Sequence, residues 1–399
     1  MRVLIYESHL GGHRSHYVSL LITALSELDV EICLATKKSS LSHSLAQHHL
    51  GDLLERIKTC PLDENSTELQ GLESVIQLNK PDHLIVPTAD TLTYPIFLEL
   101  LKGKKLNLKN LFAEALFFGP GFGYRQDRLI RKITNPIRRA LVMPRLPWNV
   151  IAHVDPYQCN ALNRNSSKLC ELRPDPAPAP LSLDQQAARQ QLKLPLDGRI
   201  AGCSGAISVD KGIVELVDAF AALSGSSEFH DTFLLLAGKF QTVIWDHLNE
   251  KHQALVEEGQ IICIDRHLDE NEMQQVFVAL DVVVAAHRGR PGSSGIVLRA
   301  AASGTPVLAR EKYWTQRIVP EFDLGWTCKT WIPNKFEIGL GNAFRTAANY
   351  QQSEKTKRYV QFQSEENFRA HWTQEIRRRL GLKPNPRLVT WEWVQKDRK

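Results

Sequence analysis

Short apolar runs, many of them β-branched, alternate with amphipathic stretches along this chain. The run Arg2 to Glu7 ends in a polar turn, His9-Leu-Gly11-Gly12-His13-Arg-Ser-His16, after which Val18, Leu21, Leu25 and Leu28 recur at helical spacing. This predicts a strand, a glycine turn and a helix. Further strands are predicted over residues 31–35, 83–86, 115–118 and 150–154, with helices over 41–54 and 69–78. The pattern halts at Arg173-Pro-Asp-Pro-Ala-Pro-Ala-Pro180, where each proline removes a donor and restricts the residue before it.

A second alternation follows. An apolar run at 199–203 leads into the turn Ser204-Gly-Ala-Ile-Ser-Val-Asp-Lys211-Gly212, and Val214, Val217, Phe220 and Leu223 then form one helical stripe. Strands are predicted at 232–237, 261–264 and 281–286, with helices at 242–258 and 273–280; Asp269-Glu-Asn-Glu272 reads as a capping box for the latter. The loop His287-Arg-Gly-Arg-Pro-Gly-Ser-Ser-Gly295 opens a helix over 296–303, Gly304-Thr-Pro stops it, and a new strand begins. Helices are expected near 313–318, 336–350 and 364–380. Strands alternating with helices in two consecutive sets predict an α/β chain of two facing, doubly wound, Rossmann-like domains. The expected limits are 1–172 and 191–360, joined by a proline-rich linker at 173–190, with a helix and tail at 361–399 packing back on the first domain.

Bulk properties narrow the picture. A chain of 399 residues with 43% hydrophobic and 23% charged positions has room for two domains with sizeable cores, which excludes general disorder. A net charge of +5 does not call for nucleic acid. Seven scattered cysteines without a Cys-x-x-Cys fit reduced thiols. With no signal-peptide core and no apolar run of transmembrane length, a cytoplasmic location is expected. The basic charge concentrates in segment 125–145, where Arg125, Arg128, Arg131, Lys132, Arg138, Arg139 and Arg145 face only Asp127. A solvated helix face and peripheral contact with an anionic membrane or acidic acceptor are both open readings.

Candidate chemistry sits at the turns. Ser293, Ser294 and Gly295 open a helix whose first-turn N–H groups lack intrahelical partners, and His287, Arg288 and Arg290 stand just before it. Gly11 and Gly12 offer close approach at the matching turn of the first set. Each feature also has a plain structural reading, as a cap or a tight turn. Asp90 is delivered to the C-terminal edge of a strand, where open α/β sheets bind ligands, and with His16 and Tyr124 it is an acceptor-side candidate. His9, His13 and His16 straddle a turn without a carboxylate or cysteine to complete a metal set, and no Asp-x-Asp occurs, so no metal and no cofactor are expected.

The ordered motifs resemble the group-one, or family-four, glycosyltransferases of the GT-B fold. Gly11-Gly12-x3-His16 resembles that family's N-terminal glycine loop. Ser208-Val-Asp-Lys211-Gly212, followed by Glu215-Leu-Val-Asp-Ala-Phe220, resembles the stretch carrying its donor-phosphate lysine. Arg299-Ala-Ala-Ala-Ser-Gly-Thr-Pro-Val307 resembles its C-terminal signature. The Glu-x7-Glu motif is degenerate, mapping to Pro291 and Arg299, and the arginine that usually precedes the lysine maps to Ala206. The resemblance implies a retaining, metal-independent transfer from a nucleotide sugar, a UDP- or GDP-sugar, to a glycan, lipid-linked or small-molecule acceptor. Lys211, Arg288 and Arg290 would neutralise the leaving diphosphate, and Gly11, Gly12, His287, Ser293, Ser294, Gly295 and Arg299 would line the donor. A cation at a helix start, as Lys211 is, is itself unfavourable unless an anion is present. Two other readings stay open: a nucleotide-sugar epimerase on the same fold, and a catalytically silent scaffold or binding protein.

Overall fold

The computed structural model describes residues 1–104, 106, 108, 110–119, 142–163, 170–289 and 292–391. These fall into two compact units, residues 1–176 with 365–391, and residues 177–364. Each is built on one all-parallel sheet.

The first unit holds β1 (Arg2–Tyr6), β2 (Glu31–Lys37), β3 (Lys58–Leu62), β4 (His83–Val86), β5 (Phe112–Phe117), β6 (Val150–His153) and β7 (Cys170–Leu172), in the order β3-β2-β1-β4-β5-β6-β7. Its central strands β1 and β4 read as largely apolar runs because both faces are covered. In β1, Leu4 and Tyr6 enter one core cluster while Val3 and Ile5 enter another on the opposite face. The second cluster takes Val18, Leu21 and Leu25 from the helix His13–Ser26. It also takes Phe368, Trp372 and Ile376 from the helix Glu365–Arg379, so the chain returns to complete its first unit. Asn367 fixes the tail by donating to Val389 O (3.0 Å) and accepting from Val389 N–H (2.7 Å).

The start of the proline-rich run belongs to this core. Arg173 is buried, pairs with the buried Glu114 of β5, and lays its guanidinium 4.1 Å from the ring centre of Trp372. His83 Nε2 lies 2.8 Å from Glu114 Oε1. Burial alone would raise the Glu114 pKa, but the charge of Arg173 and the close approach of His83 outweigh it and hold the carboxyl below its ordinary value. Further along the run, Ala177 forms a bridge with Ser364 in the second unit, and the helix Gln185–Gln191 occupies the end of the expected linker.

The second unit holds β8 (Arg199–Ser204), β9 (Thr232–Ala237), β10 (Ile261–Ile264), β11 (Val282–Ala285), β12 (Val307–Arg310) and β13 (Gly325–Cys328), ordered β10-β9-β8-β11-β12-β13. The strand order reverses between β8 and β11, which makes their C-terminal ends a topological switch point. Two glycines permit the turns there. Gly212 (φ +73°) begins the helix Ile213–Ser224, and a Cβ on it would lie 2.5 Å from Ala286 O. Gly238 (φ +140°) crosses the turn after β8 so closely that a Cβ would lie 1.8 Å from Gly205 O. The capping box forms as expected, with Glu272 N–H donating to Asp269 Oδ1 (2.8 Å) and Asp269 N–H to Glu272 Oε2 (3.0 Å). The single helix predicted over 242–258 is instead two, Thr242–Lys251 and Gln253–Glu257, bent at His252 (φ −133°).

Candidate functional site

At the switch point of the second unit lies a pocket of about 320 Å³. Ser204 and Gly205 reach it from the end of β8, Ala285 and His287 from β11, and Arg310 from β12; the helix Gly295–Ala302 points its N-terminus in. Lys211 folds back over the glycine turn, its Nζ donating to Ser204 O (3.0 Å). Arg299 and Lys312 complete a cationic lining, and no carboxylate is among the described residues that line it.

Three unfilled hydrogen-bonding positions among the described residues point to a ligand. Ser294 caps the helix Gly295–Ala302 in extended conformation without a side-chain hydrogen bond to its first turn. The hydroxyls of Ser204 and Ser293 are buried and find no hydrogen-bond partner among the described residues. A buried hydroxyl left so is costly, and a phosphate oxygen would satisfy it. Helix N-terminus, hydroxyls and cations together make an anion site.

The structure thus brings together Lys211, His287, Ser293, Ser294, Gly295 and Arg299. It leaves Arg288 out of this lining. The Arg288 side chain is held by Glu215, with Nε 2.7 Å and Nη2 2.6 Å from Oε1, while its backbone N–H donates to Asp210 O (2.7 Å). Arg299 also has a carboxylate partner, Glu270 at the start of the helix Glu270–Ala279, with Nη2 3.1 Å from Oε2. Arg290 lies outside the described residues, as do Tyr124 and most of the basic segment 125–145.

Sequence reasoning missed Arg310, Lys312, Tyr313, Phe277 and Met273 in the lining. The signal for the first two was available, since Arg310-Glu-Lys312 ends a parallel strand at the sheet edge where ligands bind. Trp331 supports both cations, 4.7 Å from the Arg310 guanidinium carbon and 5.9 Å from Lys312 Nζ. Tyr313 sits at φ +58°, a left-handed conformation unusual for an aromatic residue.

The pocket falls within the stretch that matches a known family. Residues 198–329 match the model of the group 1 glycosyl transferases. That match spans β8 to β13 and every described residue that lines the pocket. Solved structures resemble the chain over nearly its whole length. Sucrose-phosphate synthase from Thermosynechococcus elongatus gives a TM-score of 0.67 at 16% identity, covering 96% of this chain and 99% of that one. HepE of Anabaena in complex with UDP gives 0.64 at 13%, covering 96% and 100%. A glycosyltransferase from Rickettsia africae ESF-5 gives 0.65 at 13%, covering 95% and 98%. Among curated proteins no sequence matches. The fold is therefore the GT-B architecture of two Rossmann-like, doubly wound domains.

The candidates from the first unit have structural partners of their own. Gly12 (φ +63°) caps the helix His13–Ser26 and Gly11 precedes it. His16 Nε2 lies 3.1 Å from Glu365 Oε1. Asp90 accepts from the backbone N–H groups of Phe118 (2.8 Å) and Gly119 (2.7 Å), fixing the chain beyond β5.

Beside the glycine turn, at the switch point between β1 and β4, is a carboxylate the sequence did not single out. Glu7 is buried, accepts from Thr88 Oγ1, and lies 3.1 Å from Arg14 Nη1. Burial pushes its pKa up to about 7, against the opposing pull of Arg14 and of the hydrogen bonds from Thr88 and the His9 N–H. A carboxyl whose folded pKa exceeds its unfolded value near 4.5 favours folding while protonated, and loses stability as pH rises from there through 7. Denaturant unfolding at pH 5 and pH 8 is expected to show a loss in the wild type that Glu7→Gln does not share. Equal losses in both proteins would remove Glu7 as its source.

Proposed function

We propose that this protein is a retaining, metal-independent glycosyltransferase of the family-four type that moves a hexosyl group from a UDP- or GDP-sugar to a glycan, lipid-linked or small-molecule acceptor. One observation carries the reading: Lys211, Arg299, Arg310, Lys312 and a helix N-terminus with unpartnered serine hydroxyls converge on one pocket at the switch point of the matched unit. Breaking a glycosidic bond to a nucleoside diphosphate leaves charge on the phosphates, and pre-placed donors at that position stabilise the transition state. Lys211 and the first-turn N–H groups are assigned to the diphosphate, with His287 beside them. The cations and the absence of Asp-x-Asp from the sequence support transfer without a metal. Retention would follow from attack on the same face, the departing phosphate taking the acceptor's proton.

The Anabaena structures hold UDP and UDP-glucose, which favours a uridine donor here. The acceptor side is assigned to the first unit, with His16, Asp90 and Tyr124 as its candidates, and the basic segment 125–145 to contact with an anionic membrane face. The scattered cysteines suit a cytoplasmic setting.

Calorimetric titration with UDP, GDP and ADP tests the donor site. At least one is expected to bind, and binding is expected to weaken in Ser293→Ala. No binding by any of the three would sink the proposal. Incubation with a nucleotide sugar alone separates the epimerase reading, which predicts an epimerised product where a transferase leaves the sugar's configuration intact.

A further inference from the structure

A second constellation in the matched unit is independent of the donor pocket. Asp218 lies on the helix Ile213–Ser224, His247 on the helix Thr242–Lys251, and His252 at the bend that ends that helix. Both imidazoles aim Nε2 at one oxygen: Asp218 Oδ1 is 2.7 Å from His247 and 2.8 Å from His252. The rings are 61° apart in plane, with centres 5.2 Å from each other, so they approach that oxygen from different directions. All three ligand atoms lie within 4.8 Å of one another. Among the described residues no other group of His, Cys, Asp or Glu offers three ligand atoms so close together.

We propose that Asp218, His247 and His252 bind one transition-metal ion of the zinc class. Zinc takes imidazole and carboxylate ligands at about 2.0–2.1 Å, which sets ligand atoms about 3.3 Å apart at the corners of a tetrahedron. The two histidine-to-aspartate separations need to open by only about half an ångström to reach that spacing. The histidine side chains are 12% and 13% exposed, while the aspartate is 46% exposed, leaving a side open for water as a fourth ligand. Imidazole with a single carboxylate suits zinc, cobalt or nickel and is poor for calcium or magnesium, which prefer all-oxygen sets. The bound ion would staple the helix that begins beyond Lys211 to the bend at His252, fixing a backbone break that no proline or glycine explains.

The test uses the full chain without a histidine tag, stripped with chelator and titrated with zinc by calorimetry. Fourteen histidines allow weak binding elsewhere, so the comparison is with His247→Ala and His252→Ala. The wild type is expected to take one zinc equivalent that each variant binds on the order of a hundredfold more weakly. Cobalt loading of the wild type is expected to give the intense visible bands of a tetrahedral site, a readout that does not depend on any variant folding. Absence of a zinc equivalent in the wild type, retention of it at unchanged affinity in both variants, or a cobalt spectrum of octahedral type would each overturn the proposal. Nucleotide binding is unaffected by any of these outcomes, so the metal site and the donor site stand or fall separately.

Discussion

Lys211→Ala is expected to lower turnover on the order of a hundredfold, the loss of about 3 kcal/mol of transition-state stabilisation. Among the described residues the ammonium group rests on one carbonyl, Ser204 O, at the rim of a pocket lined by cations. A lysine held there gains its full electrostatic partner only when an anion arrives, and gains most when the diphosphate takes on charge during bond breaking. The substitution should therefore reduce kcat more than it raises KM. Steady-state release of nucleoside diphosphate, with the nucleotide chosen by the binding panel, measures both. Unchanged kcat and KM together would take Lys211 out of the site, and a rise in KM at unchanged kcat would make it a ground-state anchor.

The second large effect concerns stability. Arg173→Met is expected to cost about 3–5 kcal/mol, because it leaves the Glu114 carboxylate buried without its compensating charge. His83 Nε2, 2.8 Å from Glu114 Oε1, is the neighbour that remains. The wild-type pair favours folding above the unfolded carboxyl pKa and loses that contribution as pH falls through the depressed folded value. In Arg173→Met, Glu114 would instead resist ionisation, so the variant's deficit should shrink toward acid. Equilibrium unfolding of Arg173→Met, Glu114→Gln and the double variant gives the coupling energy. If the double variant is no more stable than the sum of single effects allows, the pair is not what holds this end of the sheet.

Interior strands were legible because burial on two faces forces a continuous apolar run, as in Val282–Ala285. The strands that escaped notice are β3, β7 and β13, and each is an outer strand or a very short one. Lys58-Thr-Cys-Pro-Leu62 alternates exposed and buried positions and carries Pro61, which an edge tolerates because one side of its backbone needs no partner. At the site, Lys211 and Ser293 to Gly295 could be read from local sequence, since a glycine- and serine-bearing turn between strand and helix is a local feature. Arg288 could not be placed that way, because its partner Glu215 comes from the helix Ile213–Ser224, distant in sequence. The pairing of Arg299 with Glu270 is likewise tertiary. Read locally, Glu270 is only an acid in a helix's first turn.

Phe368, Trp372 and Ile376 reach the first unit's core only after the whole second unit has been traversed. On a ribosome, residues 177–364 form a contiguous unit that can close on itself as soon as it emerges. The first unit, although made earlier, waits with one apolar face and the Arg173 side chain uncovered until the last helix is released. Vectorial synthesis thus reverses the order in which the two units reach completion, and a nascent chain halted before residue 365 presents a sticky surface to chaperones.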